Sequence, residues 1–167
     1  GYMVELPGGL VGLREGHTLS LWSAAPTPAE HVDPVELRVP GVTEIPGSRL
    51  TVTTHVFATP DDWRRRDEEA CTAWFDYSAL ELPLVVRSRR PGDRILGLGL
   101  PRETKTKNLL IDAGIPRRLR EAVPMLTDRS RILWIAGVRR SAHALLQDGT
   151  EQVLEVKLSS PTFKRGH

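Results

Sequence analysis

The chain has 167 residues, 40% of them hydrophobic and 26% charged, with a net charge of +2. That balance excludes a disordered or fibrous chain and fits one globular domain or two small ones. The single cysteine, Cys71, excludes a disulfide framework and a multi-thiolate metal site. The longest apolar runs are far too short to cross a bilayer and no basic, apolar leader opens the chain, so a cytoplasmic location without membrane contact is expected.

Strands dominate the first half. Residues 10–15 and 17–22 flank a Glu15-Gly16 turn, with Leu19 and Leu21 alternating with polar neighbours. Residues 23–34 carry Pro26, Pro28 and Pro34 without periodicity and read as a loop. Residues 35–39 are extended, and Pro40-Gly41 ends them. Pro46-Gly47 then turns into a strand over 49–58, whose Leu50, Val52, Thr54 and Val56 share one face. The pattern predicts a helix near 60–77. Thr59 suits its cap, Pro60 its first position and Asp61 and Asp62 its positive end, with Trp63, Ala70, Cys71 and Trp74 as the apolar side.

The character changes near Leu82. Residues 84–90 read as a strand rich in arginine, followed by a Pro91-Gly92-Asp93 turn and a glycine-rich loop over 97–101. Residues 105–115 read as a short helix with Leu109, Leu110 and Ala113 as its stripe, and Pro116 opens a second one that Pro124 stops. The continuous apolar run within 131–138 predicts a strand buried on both faces. Residues 151–158 form the last strand. The expected class is α+β and rich in strands: an acidic strand-rich segment over 1–82, with its one helix near 60–77, then a basic α/β segment over 83–160. The two segments are compatible with one shared core.

Charge divides the chain along the same line. Residues 1–84 hold six Lys/Arg against thirteen Asp/Glu, a net of −7, while residues 85–140 hold fourteen against five, a net of +9. The remainder is neutral. A basic block of this size points to a polyanionic partner, and a solvated basic surface is the competing reading. The candidate phosphate contacts are Arg87, Arg89, Arg90, Arg94, Lys105, Lys107, Arg117, Arg118, Arg120 and Arg139, expected to converge on one groove. Guanidinium forks match phosphate oxygens, and lysine adds a mobile point charge. Trp134 is the one aromatic residue between 85 and 140, which favours contact with a duplex backbone over stacking of single-stranded bases. Arg87→Ala, Arg89→Ala or Arg117→Ala is expected to weaken binding of that polyanion with little loss of stability. The competing reading for Arg87 is a structural ion pair with Asp93.

Catalytic patterns are sparse. The five histidines show no paired ligand spacing, and Cys71 has nothing nearby in sequence to lower its pKa. Asp93 with Glu103-Thr104-Lys105 resembles the carboxylate and Glu-x-Lys arrangement of metal-dependent nucleases. That short pattern stands as an alternative.

The motifs together carry a longer resemblance. Arg87 to Arg94, then Thr104 to Asp112, then Ile115-Pro116-Arg117 with Arg120 and Pro124, and finally Ile132-Leu133-Trp134 and Gly137-Val138-Arg139 resemble, in order and spacing, the C-terminal domain of tRNA(Ile)-lysidine synthetase. The resemblance implies a ligase that attaches lysine to the wobble cytidine of tRNA(Ile) with a CAU anticodon. ATP, with Mg, adenylates the base and the lysine amine displaces AMP. In that family the chemistry belongs to an N-terminal domain with a Ser-Gly-Gly-x-Asp-Ser loop, which these 167 residues lack. The resemblance therefore implies a non-catalytic part without its own cofactor. Its partners would be the acceptor-stem side of the tRNA, its own N-terminal catalytic domain and, as a further candidate, a second copy of itself. A domain of the phenylalanyl-tRNA synthetase β chain is similar in fold, which leaves a protein-docking module as the alternative from another class.

Overall fold

In the computed structural model of the chain, residues 2–6, 10–15, 18–23, 31–46, 50–67, 69, 71–115 and 117–159 are described, those before residue 31 and Arg118 by their backbone alone. Tyr2–Leu6 (β1), Leu10–Glu15 (β2) and Thr18–Ser23 (β3) form an antiparallel meander. β2 and β3 match two expected strands. Gly16, Gly47 and most of the proline-rich loop lie outside the described residues.

The chain continues through Val35–Glu36 (β4), Gly41–Glu44 (β5) and Thr51–Ala58 (β6). A single 3-10 turn at Trp63–Arg65 precedes Thr72–Asp76 (β7) and a second one at Tyr77–Ala79. Val85–Arg87 (β8), Arg94–Ile95 (β9) and Thr104–Lys105 (β10) lead into the helix Thr106–Asp112 (α1). After a 3-10 stretch at Arg117–Ala122 come Met125–Thr127 (β11), Ile132–Ile135 (β12), Arg139–Arg140 (β13) and Gln152–Ser159 (β14).

Two larger antiparallel sheets organise these elements, with strand orders β13-β12-β11-β8-β4 and β5-β6-β14-β7. One apolar cluster joins them: Val52, Phe75, Leu154 and Val156 from the four-stranded sheet meet Val86, Leu126 and Trp134 from the five-stranded one. A second cluster covers the other face of the five-stranded sheet, where Leu109 and Leu110 of α1 and Ile115, Leu119 and Val123 pack on Met125, Ile132 and Ile135. All four residues of β12 are therefore buried, which is why that run has no polar alternation.

The helix expected near 60–77 is not formed. Asp62 makes no side-chain cap bond and the turn closes after three residues. From Thr72 the chain instead pairs with β14 over five positions, Thr72↔Lys157 to Asp76↔Val153, which places Ala73 and Phe75 in the core at 6% and 0% exposure. Five ladder positions and a buried phenylalanine outweigh a favourable N-terminal signal. The stretch after Pro116 is likewise 3-10 rather than α.

The two sequence segments interlock. β14 lies between β6 and β7, and β4 pairs with β8. Arg140 adds a polar tie. Its Nη1 donates to the Trp74 carbonyl at 2.6 Å, Nη2 to His143 at 2.9 Å and Nε to Ser141 at 2.9 Å, with the guanidinium 4.6 Å over the Phe75 ring. Residues on both sides of position 82 thus share one core.

Candidate nucleic-acid interface

Two turns of the basic segment are built on the same device, an aspartate held by an arginine and by backbone N–H groups. In the first, Gly92 supplies a φ of 86° that other residues adopt at a cost. Arg87 then reaches across the turn: Nη1 donates to Oδ2 of Asp93 at 2.7 Å and Nη2 to Oδ1 at 3.1 Å. The Arg90 backbone N–H donates to Oδ2 at 2.7 Å. Burial alone would raise the Asp93 carboxyl, but the bonds from Arg87 and Arg90 and their two charges hold it below the usual carboxylate range.

The second turn joins β11 to β12. The Asp128 side chain is fully buried and accepts N–H bonds from Arg131 at 2.8 Å, Ser130 at 3.0 Å and Glu81 at 3.2 Å. Nη2 of Arg131 donates to the same carboxylate at 3.2 Å and to the Ala79 carbonyl at 3.0 Å. Burial pushes this carboxyl up too, and the hydrogen bonds outweigh it, so its pKa also falls.

Between the turns lies an open groove of about 380 Å³. Arg90, Arg94 and Arg129 line it, are exposed, and form no salt bridge among the described residues. Glu103 lines it as well. Exposed cations thus stand beside two aspartates that are already paired within the chain.

The ten predicted cations divide. Arg87, Arg90 and Arg94 line the groove, and Lys105 is the register partner of Arg94 on the neighbouring strand. Arg87 is bound into its turn, with a side chain 11% exposed, so removal at little cost in stability is no longer expected. Lys105 does not itself line the groove, nor do Arg89, Lys107, Arg117, Arg120 and Arg139, so the expected convergence of all ten on one groove is not found. Lys107 and Arg117 are exposed. Arg89 is 3.6 Å from Glu121, and Arg120 donates Nε to the Ile115 carbonyl at 3.0 Å. Arg139 donates to the Leu98 carbonyl at 2.8 Å and lies over Gly97, where a Cβ would come within 2.5 Å of its Cδ. The Arg118 side chain lies outside the described residues.

Sequence reasoning missed Arg129 and Arg131. The signal was present: Asp128-Arg129-Ser130-Arg131 is an aspartate-initiated turn between two apolar runs, and such turns bring their side chains to one end of a sheet.

The nuclease arrangement does not assemble. Both Asp93 oxygens are taken by Arg87, and among the described residues no group of three or more His, Cys, Asp or Glu is placed to hold a metal. Burial, with Glu69 beside it and Lys157 opposing, pushes the Cys71 thiol up to about 11, which leaves it protonated at neutral pH. No helix among the described residues is long and apolar enough to cross a membrane.

Comparison with known proteins places this geometry. The profile of the TilS substrate C-terminal domain matches residues 84–157, the stretch that holds both turns. The tRNA(Ile)-lysidine synthase of Symbiobacterium thermophilum is 36% identical over 130 residues, 76% of this chain and 26% of that protein. The tRNA(Ile)-lysidine synthase of Geobacter sulfurreducens is 35% identical over 92 residues, 55% of this chain and 20% of that protein. The chain thus spans about a quarter or less of the length of these relatives. A crystal structure of a TilS C-terminal domain superposes with a TM-score of 0.67 at 28% identity, covering 77% of this chain and 97% of that one. Residues 84–157 thus match the TilS substrate C-terminal domain family, and the fold superposes on a solved domain of that family.

Proposed function

We propose that this chain is the tRNA-gripping, non-catalytic portion of a tRNA(Ile)-lysidine synthase, the ATP-dependent ligase that joins lysine to the wobble cytidine of tRNA(Ile) with a CAU anticodon. The observation that carries the reading is a groove lined by Arg90, Arg94 and Arg129, exposed and without a salt bridge among the described residues, inside the segment that matches the TilS substrate C-terminal domain. On this reading ATP and Mg serve an attached N-terminal catalytic domain in the cytoplasm. This portion holds the acceptor-stem side of the tRNA, so that the distant anticodon loop meets the active site in a fixed orientation. The relatives are named as lysidine synthases, which favours this role over a docking module.

The test is binding of tRNA(Ile) with a CAU anticodon to the chain, followed over a range of salt. Affinity that falls steeply with salt is expected, because neutralised phosphates release counterions. Absence of tRNA binding, or binding indifferent to salt, overturns the reading. The molar mass of the chain in solution, with and without tRNA, decides whether a second copy takes part.

A further inference from the structure

We infer that His31 is a proton-operated latch: on gaining its second proton, the imidazole ties the chain segment that leads into β4 to the 3-10 stretch at Arg117–Ala122. The latch is independent of RNA binding and acts at the edge of the five-stranded sheet.

The acceptors around the ring supply the first reason. Nδ1 of His31 lies 3.1 Å from Oε2 of Glu121, on the 3-10 stretch, and Nε2 lies 3.7 Å from Oδ1 of Asp33, on its own segment. A neutral imidazole carries a single N–H, so one of its nitrogens then turns a lone pair toward a carboxylate. The imidazolium carries an N–H on each nitrogen, and each faces an anion. Histidine is the side chain whose charge ordinarily changes between about pH 5 and 8.

The charges on the neighbouring elements leave that contact in place. Glu121 meets Arg89, just past β8, through its other oxygen at 3.6 Å, so a permanent cation holds the carboxylate that the histidine approaches. Arg120 is turned away to the Ile115 carbonyl, and Arg117 is exposed.

The backbone beside the ring is what the latch holds. The Val32 N–H donates to Oγ of Ser88 at 2.7 Å, and the Val32 carbonyl accepts from the Ser88 N–H at 2.9 Å. Oγ of Ser88 donates in turn to the Glu121 carbonyl. The side-chain contact between His31 and Glu121 therefore closes a ring that runs back through Ser88 and Val32. Beyond it, β4 pairs with β8 at two positions only, Val35↔Val86 and Glu36↔Val85. An edge strand with so short a ladder opens locally at low cost, and one added tie at its start changes how often it does so. The tie is modest, because the His31 side chain is 56% exposed and that of Glu121 42%, so solvent screens the pair.

The experiment follows amide hydrogen exchange of the full chain by NMR at about pH 7.5 and about pH 5.5, expressed as protection factors so that the intrinsic pH dependence of exchange is removed. The Val32 and Ser88 amides of the wild type are expected to gain roughly threefold more protection at the lower pH than those of His31→Gln, which cannot take up the charge. Glu121→Gln keeps an acceptor but not the charge, and loses most of that gain. Asp33→Asn, at the longer contact, keeps most of it. High salt shrinks the gain. All three substituted side chains are at least partly exposed, and melting temperatures unchanged at the higher pH show that the fold is kept. An equal gain in wild type and His31→Gln overturns the latch. A gain that persists in Glu121→Gln and disappears in Asp33→Asn overturns it as well, because the contact would then lie within one segment. A gain indifferent to salt rules out the ion pairs on which the latch depends.

Discussion

Arginine does different work in the two halves of the molecule. Beside the four-stranded sheet, Arg64 lies over Trp63 and pairs with Asp148, and Arg66 lies over Trp74. Arg140 reaches the same sheet from β13 of the five-stranded one, where it lies over Phe75 and donates to three carbonyls. Around the groove, Arg87 and Arg131 are bound to aspartates, while Arg90, Arg94 and Arg129 face solvent without a salt bridge among the described residues. The count of cations says only that a polyanion is welcome. What each guanidinium already touches decides which of them can receive it.

The contrast breaks most visibly at Arg140. Arg140→Ala removes donors from the carbonyls of Trp74, Ser141 and His143 and the stack on Phe75. The expected loss is about 3 kcal/mol of stability, a fall in melting temperature of roughly 6–12 °C for a chain of this size. RNA affinity measured well below the transition should not change. A variant that melts like the wild type but binds RNA less tightly would move Arg140 from the fold to the ligand.

Next in size comes Asp128→Asn, at about 2 kcal/mol. Its carboxyl is depressed below the ordinary 3.8 in the folded state, and so is that of Asp93. A depressed carboxylate contributes stability that is fully present above the unfolded pKa and is lost as pH falls through the folded one. The wild type is therefore expected to lose stability steeply below about pH 4, and Asp128→Asn to show a shallower decline over the same range. Chemical denaturation at a series of pH values measures both slopes. Parallel slopes would mean that Asp128 is not the brace of its turn.

Much of this was legible in the chain. Alternation in 49–58 reports a half-buried strand because β6 has one face in the core, and the unbroken run at 132–136 reports a strand covered twice. The segment from Trp63 to Asp76 was not legible. Its helix signals are local, whereas its strand depends on β14, some eighty residues away. The site divides in the same way. Arg90 and Arg94 could be read because they flank a Pro-Gly turn. Arg129 could not, since the groove exists only once β8, β11 and β12 are side by side. Nor does spacing tell which of the Arg87, Arg89 and Arg90 side chains Asp93 will hold; in the folded turn it is Arg87.

The smallest expected effect sharpens the contrast from the other half. The Arg64 side chain is 60% exposed and Asp148 83%, so solvent screens their pairing, and the stack on Trp63 is worth less than a buried one. Arg64→Ala should cost about 0.5 kcal/mol, most of it still present in high salt, because a ring face attracts a cation at short range and the exposed ion pair is the part that salt removes. A loss that vanishes in high salt would assign the effect to Asp148 instead. A loss of RNA affinity would show that an arginine lying on a tryptophan still serves the ligand, and the distinction between occupied and available guanidinium groups would have to be given up.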